Sequence, residues 1–170
     1  MRKLHLLLLL LLAMTACTDT HPVADTHPVS AGRWVYKEFD DKLLQNKTYL
    51  AFLTSEPLTA AAGDDLAGAT VTLRIRFNAI EGKQASISLS KGDLDYLTST
   101  IPTTFDDGRP AYLSVQPVVR SVHVASAVLP EYDSLVSSLT QAKTMTMKIK
   151  MEKLGERQIS FKTEGLKWNH

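Results

Sequence analysis

The sequence predicts a mainly β fold, either an antiparallel β-sandwich or a curled sheet, with one covering α-helix at about residues 131–143. Apolar and polar residues alternate with a period of two in three segments, Thr70–Phe77, Ala85–Ser90 and Thr144–Met151. Such alternation is typical of strands with one buried and one hydrated face, which is the pattern of antiparallel sheets. Many strands come first, then one helix and then two strands, so the helix is expected to pack on the sheet.

Six more segments carry weaker strand signals, namely short runs of apolar and β-branched residues between turn residues. They are Trp34–Phe39, Thr48–Thr54, Thr98–Phe105, Ala111–Val115, Ser121–Ala127 and Gln158–Lys162. Glycine and aspartate tolerate the backbone angles of tight reversals, so turns are predicted where they cluster. These turns are Glu81-Gly82, Asp106-Asp107-Gly108 and Leu154-Gly155. The long irregular stretch Glu56–Gly68 is predicted to be a mobile loop.

The helix is predicted from a change of period after Pro130. Apolar residues then recur at helical spacing, at Tyr132, Leu135, Val136, Leu139 and Ala142. Glu131 and Asp133 lie in its first turn and Lys143 lies near its end, which suits the helix dipole. Serines on the opposite face make the segment a moderate helix former, so its stability is expected to depend on packing against the sheet.

The N-terminal segment predicts where the chain is located and how it is held there. Met1-Arg2-Lys3 is followed by a short apolar run and small residues, which is the pattern of a secretory signal peptide over residues 1–16. The sequence Met14-Thr15-Ala16-Cys17 resembles the bacterial lipobox, in which leucine usually stands where this chain has Met14. The resemblance implies cleavage before Cys17 and acylation of that residue, with palmitate among the attached chains.

Cys17 is the only cysteine of the chain, so no internal disulfide is available to it. Two or more acyl chains hold a protein stably at a bilayer, whereas one chain binds marginally. The lipid bilayer is therefore the predicted partner of acylated Cys17. By the same resemblance, Thr18 in place of aspartate implies the outer membrane, with the chain facing the periplasm.

Residues 17–31 are predicted to be a tether between the lipid and the folded part. A six-residue unit is written twice in DTHPVADTHPVS, and Pro22 and Pro28 favour an extended, solvated backbone. His21 and His27 are interpreted as linker residues, because two histidines on an extended segment do not fix a metal coordination geometry. Residues 32–170 are predicted to form one globular domain, and no metal or cofactor is expected.

Composition narrows the classes of function. Removal of the signal peptide takes away Arg2 and Lys3, so the formal net charge changes from +1 to −1. A nearly neutral chain without a Lys/Arg-rich run has no electrostatic basis for binding nucleic acid, so none is expected as a partner. Without disulfides, stability has to come from an apolar core, which a chain of this length can bury.

The sequence carries no established catalytic motif, since GxSxG, HExxH and a glycine-rich phosphate loop are all missing. His123 lies between two valines and is predicted to face solvent. The acidic pairs Asp40-Asp41, Asp64-Asp65 and Asp106-Asp107 fall where turns are expected, so turn formation is favoured over catalysis or calcium binding. The aromatic residues near the two ends are predicted to fill the core or hold the termini rather than form a binding surface. They are Trp34, Tyr36, Phe39 and Trp168.

Several short motifs follow one another over about Gly32–Leu166. They are Gly32-Arg33-Trp34, Leu73–Phe77, Phe105-Asp106-Asp107-Gly108, Leu135–Ala142, and Phe161 followed by Gly165-Leu166. Their order resembles the VasI or TagO type of small envelope proteins associated with type VI secretion. Members of that family usually carry a cysteine where this chain has Phe77. The resemblance implies a strand-rich body with a late helix before two final strands, and an association with a secretion system.

Together these observations favour a membrane-anchored bacterial envelope lipoprotein that acts as a non-enzymatic binding or accessory module. Its protein partner in the envelope is not identified by the sequence. Two alternatives stay open: a purely structural lipoprotein, and a hydrolase of an envelope polymer that uses Asp40, Asp64 and Asp106 from separate turns. Wide separation of those carboxylates in the folded chain would count against the hydrolase.

Substitution of Cys17→Ser is expected to abolish incorporation of labelled palmitate and to move the chain from the membrane pellet to the soluble fraction, because the acceptor thiol is lost. Metabolic labelling followed by fractionation measures both effects, with Thr18→Ser as the matched control. Continued labelling of the Cys17→Ser chain would contradict the lipobox assignment.

Overall fold

The computed structural model describes residues 31–42, 45–59, 66–95, 99–120, 123–152 and 154–170. The predicted signal peptide, Cys17, the tether up to residue 30 and the pair Asp64-Asp65 lie outside the described residues. The side chains of Asp41 and His123 are likewise not described. The predictions made for these residues therefore stay predictions.

Two antiparallel sheets form the fold, together with one helix among the described residues. In chain order the strands are β1 (Val35–Asp41), β2 (Asn46–Thr54), β3 (Val71–Asn78), β4 (Gly82–Leu89), β5 (Thr100–Phe105), β6 (Ala111–Ser114), β7 (Gln116–Arg120), β8 (His123–Leu129), β9 (Thr144–Met151) and β10 (Gly155–Lys162). Helix α1 (Tyr132–Gln141) lies between β8 and β9. The strand order is β1-β2-β3-β4-β8-β7 in a six-stranded sheet and β10-β9-β5-β6 in a four-stranded sheet. The predicted mainly β class with one helix is confirmed.

The core lies between the inner faces of the two sheets, as the period-two pattern predicts. On β3, Leu73 and Ile75 are fully buried, and on β9, Met145 and Met147 are fully buried. Helix α1 joins the two sheets and adds Leu139 and its neighbours to the same core cluster. Every second side chain of these strands therefore points into one apolar interior between the two sheets.

One strand, β7, has no counterpart among the predicted segments. Its sequence carries Pro117 at the second position, which removes a backbone donor and weakens the strand signal. The structure accommodates this proline because β7 is an edge strand that pairs only with β8. The pairing also shifts register between Val118 and Arg120. An edge position therefore explains a strand that local sequence preference does not favour.

The predicted loop Glu56–Gly68 contains neither strand nor helix in its described residues, which are 56–59 and 66–68. Its two ends are held together, because the Leu58 N–H donates to the Ala69 carbonyl at 2.8 Å and the Gly68 N–H donates to the Leu58 carbonyl at 3.2 Å. Leu66 is buried in the core cluster. The ends of this loop are therefore anchored to the body of the fold.

Substitution of Met147→Ala is expected to lower the free energy of unfolding by about 3 kcal/mol, because it removes a fully buried side chain and leaves a cavity. Lys148→Ala, the next residue on β9 and exposed, is the matched control and is expected to change stability by less than about 0.5 kcal/mol. Urea denaturation at neutral pH measures both. Equal effects of the two substitutions would contradict the assigned faces of β9.

Candidate functional site

The outward side of the four-stranded sheet carries a row of small hydroxyl side chains. Thr104 of β5 pairs with Thr146 of β9, and Thr146 pairs with Ser160 of β10, so the three residues lie side by side across three strands. The hydroxyl oxygens of Thr146 and Ser160 are 3.4 Å apart. We call the outward side of this sheet around these three residues the hydroxyl face.

Longer side chains surround this row and make the hydroxyl face concave. A hollow of about 400 Å³ is lined by Tyr112, Lys148, Glu156 and Gln158, together with Thr104 and Thr146. Lys148 pairs with Gln158 across β9 and β10, and Pro102 pairs with Tyr112 across β5 and β6. Because the residues beside the row are long and those within it are short, the sheet carries a depression rather than a flat surface.

A second hollow of about 270 Å³ adjoins the first and shares Thr146 with it. Ser160, Lys162, Gly32 and Glu56 are among the residues that line it. Gly32 has a φ of 73°, and an added Cβ would lie 3.1 Å from Cδ of Lys162. Glycine is therefore suited to this position by both conformation and space. The second hollow lies directly beside the point where residue 31 leads into the folded part.

The charges of the hydroxyl face are balanced and loosely held. Nζ of Lys148 lies 3.9 Å from Oε1 of Glu156, and Nζ of Lys162 lies 3.8 Å from Oε1 of Glu56. All four side chains are more than half exposed. Exposed pairs at such distances contribute little to stability, so these groups are free to exchange their partner for a ligand.

Tyr112 stands out on this surface because 70% of the residue is exposed. It occupies the edge strand β6, and its neighbour Leu113 points inward and is buried. Tyr112 was not predicted from the sequence to be a surface residue. The alternation within Ala111–Val115 is the signal that places Tyr112 opposite Leu113, although that run is too short to identify the buried face by itself.

Of the four aromatic residues predicted to fill the core or hold the termini, three hold the termini. The Trp34 ring N–H donates to the Thr163 carbonyl at 2.8 Å. The Tyr36 hydroxyl accepts the Lys167 N–H at 2.7 Å. The Trp168 ring N–H donates to the Tyr132 hydroxyl at 2.6 Å, so the last residues are attached to both β1 and α1. The prediction is wrong for Phe39, which is 53% exposed, because the alternation of β1 directs it to the outward side of the six-stranded sheet.

The C-terminal residue His170 stacks on aromatic residues of the six-stranded sheet. The His170 ring lies 4.0 Å from the Tyr49 ring and 5.6 Å from the Phe77 ring, measured between centroids. Burial has the larger effect on the Tyr132 hydroxyl and raises its pKa, whereas the hydrogen bond that this hydroxyl accepts from Trp168 lowers the pKa. The aromatic residues near the two ends thus connect the C-terminal segment to the six-stranded sheet and to α1.

The acidic turn residues do not converge in the part of the chain that the structure describes. Asp40 lies on β1, at the edge of the six-stranded sheet, whereas Asp106 directly follows β5 of the four-stranded sheet. Among the described residues, no group of three or more His, Cys, Asp or Glu side chains is arranged to hold a metal ion.

Asp106 has a structural role that accounts for its carboxylate. Oδ1 accepts the N–H groups of Lys143 and Thr144, both at 2.9 Å, and the Thr144 hydroxyl at 3.2 Å. Asp106 also has a φ of 48°, so the predicted turn places its left-handed residue here rather than at Gly108. The Thr144 N–H, followed by that of Lys143, holds the pKa of Asp106 below its usual value of 3.8, although burial acts in the opposite direction.

No helix in the described part of the chain is both long and apolar enough to cross a bilayer. Comparison of the chain with protein-family models, with curated proteins and with solved structures gave no match.

Substitution of Asp106→Asn is expected to lower the free energy of unfolding at pH 7. A carboxylate whose pKa is lowered by folding contributes stability above its unfolded value of 3.8, and this contribution is lost as the pH falls through the folded value. The difference between the wild-type chain and Asp106→Asn should therefore shrink as the pH drops below 3.8. Urea denaturation at several pH values measures this trend, with the neighbouring substitution Asp107→Asn as control. A difference that does not depend on pH would contradict the assigned hydrogen bonds.

Proposed function

We propose that the chain is a membrane-anchored bacterial envelope lipoprotein and acts as a non-enzymatic binding module through the hydroxyl face. Acylated Cys17 is its attachment to the bilayer, and residues 17–31 are its tether. The location that this proposal assigns is the outer membrane, facing the periplasm. The resemblance to the VasI or TagO type adds a secretion system as the setting in which such a module would work.

The observation that carries the proposal is the larger hollow on the hydroxyl face, together with the smaller hollow that adjoins it at Thr146. Binding sites are generally concave and combine a few directed polar groups with apolar surface. Here Tyr112 supplies an exposed ring, and Thr146, Gln158 and Ser160 supply directed hydrogen-bonding groups. These groups are carried by paired strands, which hold side chains more accurately than loops do.

The position at which the tether meets the folded part also supports the hydroxyl face as the binding surface. Gly32 lines the smaller hollow and is the first residue after the proposed tether. Fully extended, fourteen residue steps from Cys17 to Ala31 span at most about 50 Å. The border of the hydroxyl face at Gly32 would therefore remain within that distance of the lipid surface, which limits its partner to molecules found near the membrane.

Two observations favour binding over hydrolysis. The carboxylate of Asp106, one of the three aspartates of the hydrolase alternative, accepts three hydrogen bonds within the fold. The larger hollow is lined by a single carboxylate among the described residues, that of Glu156, whereas glycosidases of the common type use two facing carboxyl groups. The charged groups present are better suited to hydrogen bonding than to acid–base chemistry.

Photocrosslinking in intact cells tests the proposed surface. A photoreactive phenylalanine replaces Gln158 on the hydroxyl face or, as a matched control, Gln84 on the outward side of β4 in the other sheet. We expect a defined adduct from position 158 that is not formed from position 84. The Cys17→Ser form should lose this adduct, since it is no longer held near the membrane.

Identical adducts from both positions, or none from position 158, would contradict the hydroxyl face as the binding surface. Circular dichroism of each variant shows that the strands are retained, so a negative result from a folded chain is decisive.

A further inference from the structure

We infer that the ligand of the hydroxyl face is an uncharged glycan chain. One sugar ring stacks on Tyr112, and hydroxyl groups along the glycan chain form hydrogen bonds with the row Thr104, Thr146 and Ser160. This inference rests on the proposed function and adds the chemical class of the ligand.

Tyr112 provides the apolar half of the recognition. Tyr112 is 70% exposed, and Pro102 and Pro110 line the larger hollow with it. Prolines carry flat hydrocarbon surface and no side-chain polar group. Together the three residues form an apolar platform at one side of the hollow. A pyranose ring presents an apolar face of C–H groups with hydroxyls around its edge, so it matches a platform bordered by polar groups.

The hydroxyl row provides the polar half. Strands in a sheet lie about 4.8 Å apart, so Thr104, Thr146 and Ser160 extend over about 10 Å in one line. Each hydroxyl both donates and accepts, as sugar hydroxyls do, and either group can reorient to suit the other. Gln158 and Glu156 at the border add an amide and a carboxylate, which are directed acceptors for sugar O–H groups.

The charge balance argues against anionic ligands. Lys148 and Lys162 each have a glutamate within 4 Å, namely Glu156 and Glu56. Nucleic acids and acidic lipid surfaces are bound through an excess of positive charge, which this surface does not offer.

The polar residues that line the two hollows argue against a protein partner. The centre of a protein interface is apolar and poor in lysine, glutamate and serine. Here the two central strands contribute Thr104 and Thr146, the edge strand β10 contributes Ser160, and lysine and glutamate line the same hollows. A polar, hydroxyl-rich ligand therefore fits this surface better than an apolar protein patch does.

Titration of the full acylated chain, held in a detergent without a sugar headgroup, tests the inference. The probe is the uncharged tetramer of β-1,4-linked N-acetylglucosamine, and binding is followed by calorimetry and by saturation-transfer NMR of the sugar. We expect Tyr112→Ala to weaken binding about tenfold or more, and Tyr112→Trp to retain it within about threefold. Phe39→Ala removes an exposed aromatic ring from the other sheet and should leave the dissociation constant unchanged. Binding should also be the same at about 0.05 and 0.5 M NaCl, because the ligand carries no charge.

Several results would overturn the inference: no binding of the tetramer up to about 10 mM, equal effects of Tyr112→Ala and Phe39→Ala, or tighter binding of a sulfated oligosaccharide. If the photoreactive group at position 158 nevertheless captures a protein, the proposed function stands and the glycan assignment fails. If neither experiment detects a ligand, the hydroxyl face is not a binding surface and both proposals fail.

Discussion

The alternation of side chains along β9 is the constraint on which both the core and the hydroxyl face depend. Met145, Met147 and Ile149 are buried, whereas Thr146 and Lys148 between them point outward. Because the period is two, a slip of one residue in the pairing of β9 would place lysine in the core and methionine on the surface. Burying an unpaired ammonium group is costly, so the residues that form the core also fix the register of the outward row.

Hydrogen bonds at the ends of the strands then fix the borders of the hydroxyl face. Asp106 attaches the turn after β5 to the first residues of β9. The Thr163 hydroxyl donates to the Ala142 carbonyl at 2.8 Å, and the Thr163 carbonyl accepts from Trp34. The end of β10 is thereby connected both to the residue after α1 and to the start of β1. This connection brings Gly32 next to the Lys162 side chain, and both residues line the smaller hollow.

Local pattern predicted the fold class, the helix and most strands, because alternation and helical spacing are properties of neighbouring residues. It missed β7, where Pro117 weakens the strand signal and only an edge position makes the strand possible. The turn at Asp106 was predicted, but its partners Lys143 and Thr144 were not, since they lie 37 and 38 residues away. The hydroxyl face was missed for the same reason: a row built from three strands exists only once their register is known.

We propose that the hydroxyl face is occupied by a ligand in the envelope. Hydroxyl-radical footprinting tests it directly, by comparing side-chain oxidation of the chain in isolated envelopes with that of the chain extracted into detergent. Oxidation of Tyr112 should be suppressed in envelopes and recover on extraction, whereas oxidation of Phe39, exposed on the other sheet, should be the same in both. Equal oxidation of Tyr112 in both samples, or protection of Phe39 instead, would contradict the claim.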